Sequence, residues 1–176
     1  MPIRKLAWFT LCLLSPLAAI AIDGSAPGVR WAVPPGWTAQ APRQMRVATY
    51  SVPSKTEPGE CGVFYFGQGR GGSLAENIDR WGKQFEGAPP ATTSIEIVDG
   101  MRVHRVQTSG TYLSPGGPMM QSQGKKPGYR LMGAIVEGPE GLVFFKCTGP
   151  AAAISAAQPA FDGLVRSMKK SAVTKV

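Results

Sequence analysis

The residues that could do chemistry are few and scattered. FGQGRGGSLAENIDRW, at positions 66–81, contains a G-x-G-x-x-G spacing from Gly67, Gly69 and Gly72, between an aromatic run and a stretch with helical periodicity. A dinucleotide fingerprint needs that spacing inside a βαβ unit, with an acid about 20 residues further on to hold the ribose. Asp99 lies 27 residues after Gly72, too far for that role, and sits in a hairpin signal. The glycines therefore read as a structural entry to a helix, for which they permit the backbone reversal. Ser73 and Glu76 complete that entry as an S-x-x-E capping box.

Other catalytic and metal-binding patterns are incomplete. His104 is the single histidine, which excludes a multi-histidine zinc site, and the chain has no H-E-x-x-H, C-x-x-C or G-x-S-x-G. A small envelope hydrolase built around His104 is the enzymatic alternative, although no serine occupies a recognisable nucleophile turn. S-x-x-K occurs at Ser122 and Ser167 without the companion motifs of the acyl-transfer enzymes. The acid pairs Glu57/Glu60 and Glu137/Glu140 fall beside turns and read as solvated. Met119 and Met120 could offer thioethers to a soft metal, but a loop tip that adapts to a partner is the simpler reading. No metal or cofactor is expected. With Tyr112, Lys125, Lys126 and Tyr129, the two methionines form the expected contact site for a ligand or partner.

The amino-terminal residues assign a compartment. Arg4 and Lys5 precede an apolar run from Leu6 to Leu14, Pro16 interrupts it, and Ala19-Ile20-Ala21 offers a cleavage site. Residues 1–21 thus read as a secretory signal, and the run is too short and broken for a membrane span. Export to the periplasm or the extracellular space is expected, with no transmembrane segment after cleavage. The charge of +8 over the whole chain stays positive once Arg4 and Lys5 leave. The basic residues are dispersed, which suits solubility rather than nucleic acid. Cleavage also removes Cys12, leaving Cys61 and Cys147 either as a disulfide or as two buried thiols.

These residues need a scaffold, and its elements are partly legible. Residues 22–28 read as a flexible leader, 29–170 as one domain and 171–176 as a tail. Strands are expected at 29–33, 45–52 and 62–66. Leu74, Ile78, Trp81 and Phe85 make one apolar helical stripe, backed by Glu76/Arg80 and Asp79/Lys83. IEIVDGMRVHRV predicts a hairpin turning at Asp99-Gly100. RLMGAIVE and LVFFKCT predict a second, separated from the first by a Gly/Pro-rich loop at 113–128. After Gly149-Pro150, a final amphipathic helix is interrupted near Pro159. The class is α+β: an antiparallel sheet of hairpins packed with a mid-chain and a C-terminal helix.

GVRWAVPPGW, the hairpin strands in the middle and FFKCTGP leading into the last helix resemble the PsbP-like superfamily. FGQGRGGSLAENIDRWGKQF and GYRLMGAIVEG are similar to segments of uncharacterised exported bacterial proteins of that arrangement. The resemblance implies an α-β-α sandwich and a non-catalytic accessory or binding role. The partner would be an envelope protein or a small ligand, neither identified by the sequence; a structural envelope protein is the remaining alternative.

Overall fold

A computed structural model describes residues 23–114 and 124–172. The expected signal at 1–21, residue 22, the loop residues Met119, Met120 and Ser122, and residues 173–176 lie outside the described residues.

The main sheet is antiparallel. Its strands are β3 (Thr38–Ala39), β4 (Ala48–Val52), β5 (Gly59–Tyr65), β6 (Phe85–Glu86), β7 (Thr92–Val98), β8 (Met101–Leu113), β9 (Lys125–Gly138) and β10 (Gly141–Pro150). They are ordered β3-β4-β5-β10-β9-β8-β6, with β7 also pairing to β8. A smaller sheet joins β1 (Asp23–Ala26), β2 (Val29–Ala32) and β11 (Lys169–Lys170). The helices are α1 (Leu74–Lys83), α2 (Ala151–Ala156) and α3 (Gln158–Arg166).

Period-two alternation assigns the two faces of the main sheet. On β10, Val143, Phe145 and Cys147 enter one core with Trp31, Phe161, Leu164 and Met168. Phe144 points the other way and packs with Trp81, Phe85, Val106 and Ile135. The sheet therefore lies between α1 on one side and α2, α3 and the small sheet on the other, which is the expected sandwich.

The turns follow from their residues. Asp99 (φ 50°) and Gly100 (φ 70°) are both left-handed, and Val98 pairs with Met101, as the sequence predicts for a two-residue type I′ turn. Asp99 also accepts the Lys170 backbone N–H at 2.8 Å, tying the hairpin tip to β11. Pro35 and Gly36 (φ 82°) form a tight turn closed by Trp37 N–H on the Pro34 carbonyl at 3.1 Å.

Three expectations need correction. Residues 23–26 of the expected leader 22–28 form a strand: β1 pairs with β2 from Asp23↔Ala32 to Ala26↔Val29. Gly24 makes this possible, since a Cβ there would lie 2.3 Å from the Trp31 indole. The expected loop 113–128 is shorter at its C-terminal end, because Lys125, Lys126, Pro127 and Gly128 belong to β9. Tyr112 pairs with Lys126 and Leu113 with Lys125, so cross-strand pairing overrides local Gly/Pro character. Glu76 is taken up by the helix cap rather than by an ion pair with Arg80, whereas Asp79 and Lys83 do pair, at 2.6 Å.

Candidate functional site

α1 is short, and the strands beneath it extend past its edge. The result is a cleft of about 1000 Å³ between α1 and the face of β5 and β10. Alternation along β10 brings Phe144, Lys146 and Thr148 into it, and β5 contributes Glu60, Gly62 and Phe64. Register explains the aromatic walls: Lys146 stands opposite Gly62 on one side and Gly133 on the other. The two missing side chains admit rings beside the lysine; at Gly62 an added Cβ would lie 2.9 Å from Phe64 and 3.3 Å from Arg46 Nη1. At Gly133 the room is used by Trp81, whose ring would come within 2.5 Å of an added Cβ.

The α1 wall is held by its own entry. Ser73 accepts the Glu76 N–H at 3.2 Å, and the Glu76 carboxylate accepts the Ser73 N–H at 2.7 Å. These bonds hold the Glu76 carboxyl below its usual range, the backbone bond first. Gly67, Gly69 and Gly72 all have positive φ in the turn before α1, as does Gly71, over which Phe66 packs. Asn77 is buried and donates to the carbonyls of Gly71 and Ser73 at 2.9 and 2.8 Å. Its Oδ1 accepts from Arg80, which fixes that guanidinium at the cleft wall.

The cleft combines aromatic surface with excess positive charge. Phe64, Phe66, Trp81, Tyr112 and Phe144 supply the apolar area. Arg46, Arg70, Arg80 and Lys146 face only two lining carboxylates, Glu60 and Glu76. Both are engaged: Glu60 bridges Arg43 and Arg46 at 2.7 and 2.6 Å, and Glu76 belongs to the cap. Lys146 donates to Gln84 Oε1 and lies 5.5 Å from the Tyr112 ring centroid. Burial pushes its ammonium down to about 8, with repulsion from Arg46 and Arg80 adding to this and Glu60 opposing it. Burial likewise raises the Tyr112 phenol, so Tyr112 stays neutral at physiological pH.

The expected contact residues only partly converge here. Tyr112 lines the cleft. It also stacks on Tyr129 at 6.0 Å, and Lys126 lies 5.4 Å from the Tyr129 centroid. Lys125 pairs with Glu86 at 2.7 Å, and the Tyr129 hydroxyl donates to Glu57. That hydroxyl is pushed up to about 12, first by burial and then by Glu57. The Glu86 and Glu57 carboxylates thus engage Lys125 and Tyr129 within the chain. His104 is outside the cleft lining, buried, and hydrogen-bonded through Nε2 to Glu137 Oε1 at 2.6 Å. Among the described residues no cluster of three metal-ligating side chains occurs.

Arg46, Gly62, Arg80, Gly133 and Lys146 escaped the sequence reading because they come from separate elements. One signal was available: a lysine inside the otherwise apolar LVFFKCT strand is costly to bury and calls for a reason.

Cys61 and Cys147 form a disulfide across β5 and β10, directly opposite one another in the ladder. It lies on the other face of the same strands, behind Lys146.

No family model matches the chain, and no curated protein matches its sequence. Among solved structures it is similar to cyanobacterial PsbP (CyanoP) from Synechocystis sp. PCC 6803, with a TM-score of 0.55 at 10% identity, over 92% of this chain and 99% of that one. It is also similar to a Pseudomonas aeruginosa protein of unknown function, with a TM-score of 0.48 at 11% identity over 78% and 88% of the two chains. The cyanobacterial likeness shows a PsbP-like fold, mostly antiparallel sheet with a few helices.

Proposed function

We propose that this chain is an exported, non-catalytic binding module whose ligand occupies the cleft between α1 and the β5–β10 strands. The observation that carries the reading is the cleft itself: aromatic walls around a half-buried lysine whose cross-strand neighbours are glycines. Pockets of several hundred cubic ångströms with apolar walls and a few polar groups are the usual form of small-ligand sites. Export rests on the leader sequence and fits the disulfide, which persists in oxidising compartments.

His104 has no part in this reading, so His104→Ala should retain ligand binding. The hydrolase alternative requires the opposite, a turnover that His104→Ala abolishes. A PsbP-like fold does not choose between them, since folds host many functions.

Native mass spectrometry of protein purified from an exporting host tests the reading. A mass excess that disappears on denaturation is expected, and it should be lost in Thr148→Trp, which fills the cleft, provided circular dichroism shows that the fold is kept. An excess that survives in that variant places the ligand elsewhere. No excess in either protein, together with no binding of added small molecules, sinks the small-ligand reading.

A further inference from the structure

We propose that the cleft takes a carboxylic acid with an apolar body, its carboxylate seated at Lys146 between Arg46 and Arg80 and its body against Phe64, Phe144 and Trp81. This deepens the binding reading and rests on it.

The charge of the ligand follows from what the cleft leaves uncompensated. Its lining carries four cations and two carboxylates, and both carboxylates already have partners in the protein. Lys146 Nζ has a neutral amide oxygen as its hydrogen-bond acceptor and the Tyr112 ring beside it. An ammonium so placed gains from an anion that arrives with it into a low-dielectric site. A cation would meet repulsion from Arg46, Arg70 and Arg80.

The kind of anion follows from the donors. Phosphate recognition favours forked guanidinium contacts. Arg46 spends Nη1 on Glu60, and Arg80 spends Nη2 on Asn77. Arg70 is exposed at the edge of the cleft, so what its buried part presents is chiefly the compact, mobile point charge of one lysine, which suits a monoanionic head. The body follows from the walls. Trp81 and Phe144 meet at 6.5 Å between centroids and near-perpendicular planes, and Phe64 lies within the same cleft under the Arg46 guanidinium at 5.3 Å. Such surfaces receive a flat ring or an alkyl chain.

Affinity should then depend on the protonation of Lys146. The groups facing it are Arg46 before β4, Glu60 on β5, Arg80 and Gln84 at α1, and Tyr112 on β8. Among these Lys146 is the one brought to about 8, so the seat loses the lysine's charge as pH rises through that value while the two guanidiniums keep theirs.

The test uses calorimetric titration of the exported full chain with 1-naphthoate, its neutral counterpart 1-naphthamide, laurate and inorganic phosphate. At neutral pH the naphthoate should bind at least about tenfold more tightly than the amide, and the preference should shrink severalfold between about pH 7 and about pH 10. Lys146→Met should abolish most of the preference while still binding the amide. Lys146→Arg should keep the preference and lose its pH dependence, because a guanidinium does not deprotonate in this range. Tighter binding of laurate or of naphthoate tells an aliphatic from an aromatic body. Equal binding of acid and amide, or a preference unchanged in Lys146→Met, overturns the carboxylate seat and leaves cleft binding standing. So does displacement of naphthoate by phosphate at comparable concentration. If none of the probes binds while a native mass excess is still lost in Thr148→Trp, the acid assignment falls and the binding reading survives. Failure of both experiments removes both.

Discussion

Lys146 shows how one residue can be a stability cost and a functional asset together. Its ammonium is half-buried beside two guanidiniums, and its folded-state value of about 8 lies below the ordinary 10.5. Below about 8 both folded and unfolded chains hold the proton, and the folded state bears the full cost of the buried charge. Between about 8 and 10.5 the unfolded chain holds more protons, so this group makes stability rise with pH across that window. Lys146→Met should remove that rise and stabilise the protein at neutral pH by on the order of 2 kcal/mol, measured by urea unfolding at a series of pH values. Gly133 makes a different point. It has ordinary backbone angles, and its value lies in absence, because an added Cβ would meet Trp81 at 2.5 Å and the Phe145 carbonyl oxygen at 3.1 Å. Gly133→Ala should cost about 1–3 kcal/mol and shift Trp81 fluorescence as the indole moves away from the sheet. A neutral outcome would mean that α1 is not seated as described.

At the scale of elements, α1 is the part that defines the cleft, and its N-terminus is the part that sequence described best. The Ser73/Glu76 capping box is present in both directions. Ser73→Ala should destabilise by about 1 kcal/mol, read from thermal unfolding. The Glu76 carboxyl is held low by the Ser73 backbone and hydroxyl. Its contribution is therefore present above the ordinary carboxylate range and lost as pH falls through the lowered folded value. Ser73→Ala should flatten part of this acid limb, and an unchanged pH profile would separate Glu76 from the cap. The β7–β8 hairpin was equally legible, since Asp99-Gly100 constrains its turn locally. The ends of β8 and β9 were not: Gly124 to Gly128 has loop composition, and only pairing of Leu113 and Tyr112 with Lys125 and Lys126 makes its residues part of a strand.

For the whole molecule, the main sheet connects the two cores, and the disulfide joins its two central strands on the face opposite the cleft. Cys61 and Cys147 are fully buried and 86 residues apart. Removing the crosslink enlarges the conformational freedom of the unfolded chain, by about 4–5 kcal/mol in the chain-entropy account. The Cys61→Ala/Cys147→Ala protein should show a loss of that order in denaturant titration, with weaker ligand binding if the strands carrying Gly62 and Lys146 shift. A loss below about 1 kcal/mol would indicate that the close β5–β10 ladder persists in the unfolded ensemble.

What the sequence by itself determined is the part encoded locally: the α+β class, the capped amphipathic helix with Leu74, Ile78 and Trp81 of its stripe, the type I′ hairpin, and the break in the last helix; Phe85, expected on the same stripe, belongs to β6 instead. These depend on backbone angles and on periodicity within some ten residues, so a short window contains the cause. It also left open whether two cysteines meet and placed the contact site at Tyr112, Met119, Met120, Lys125, Lys126 and Tyr129. Tertiary structure decided that Cys61 faces Cys147, that β1 pairs with β2, and that Tyr112 joins a cleft with Arg46, Gly62, Arg80 and Lys146. Those outcomes depend on register between strands far apart in sequence, where a shift of one residue exchanges the faces of the sheet and would turn Lys146 toward the opposite core.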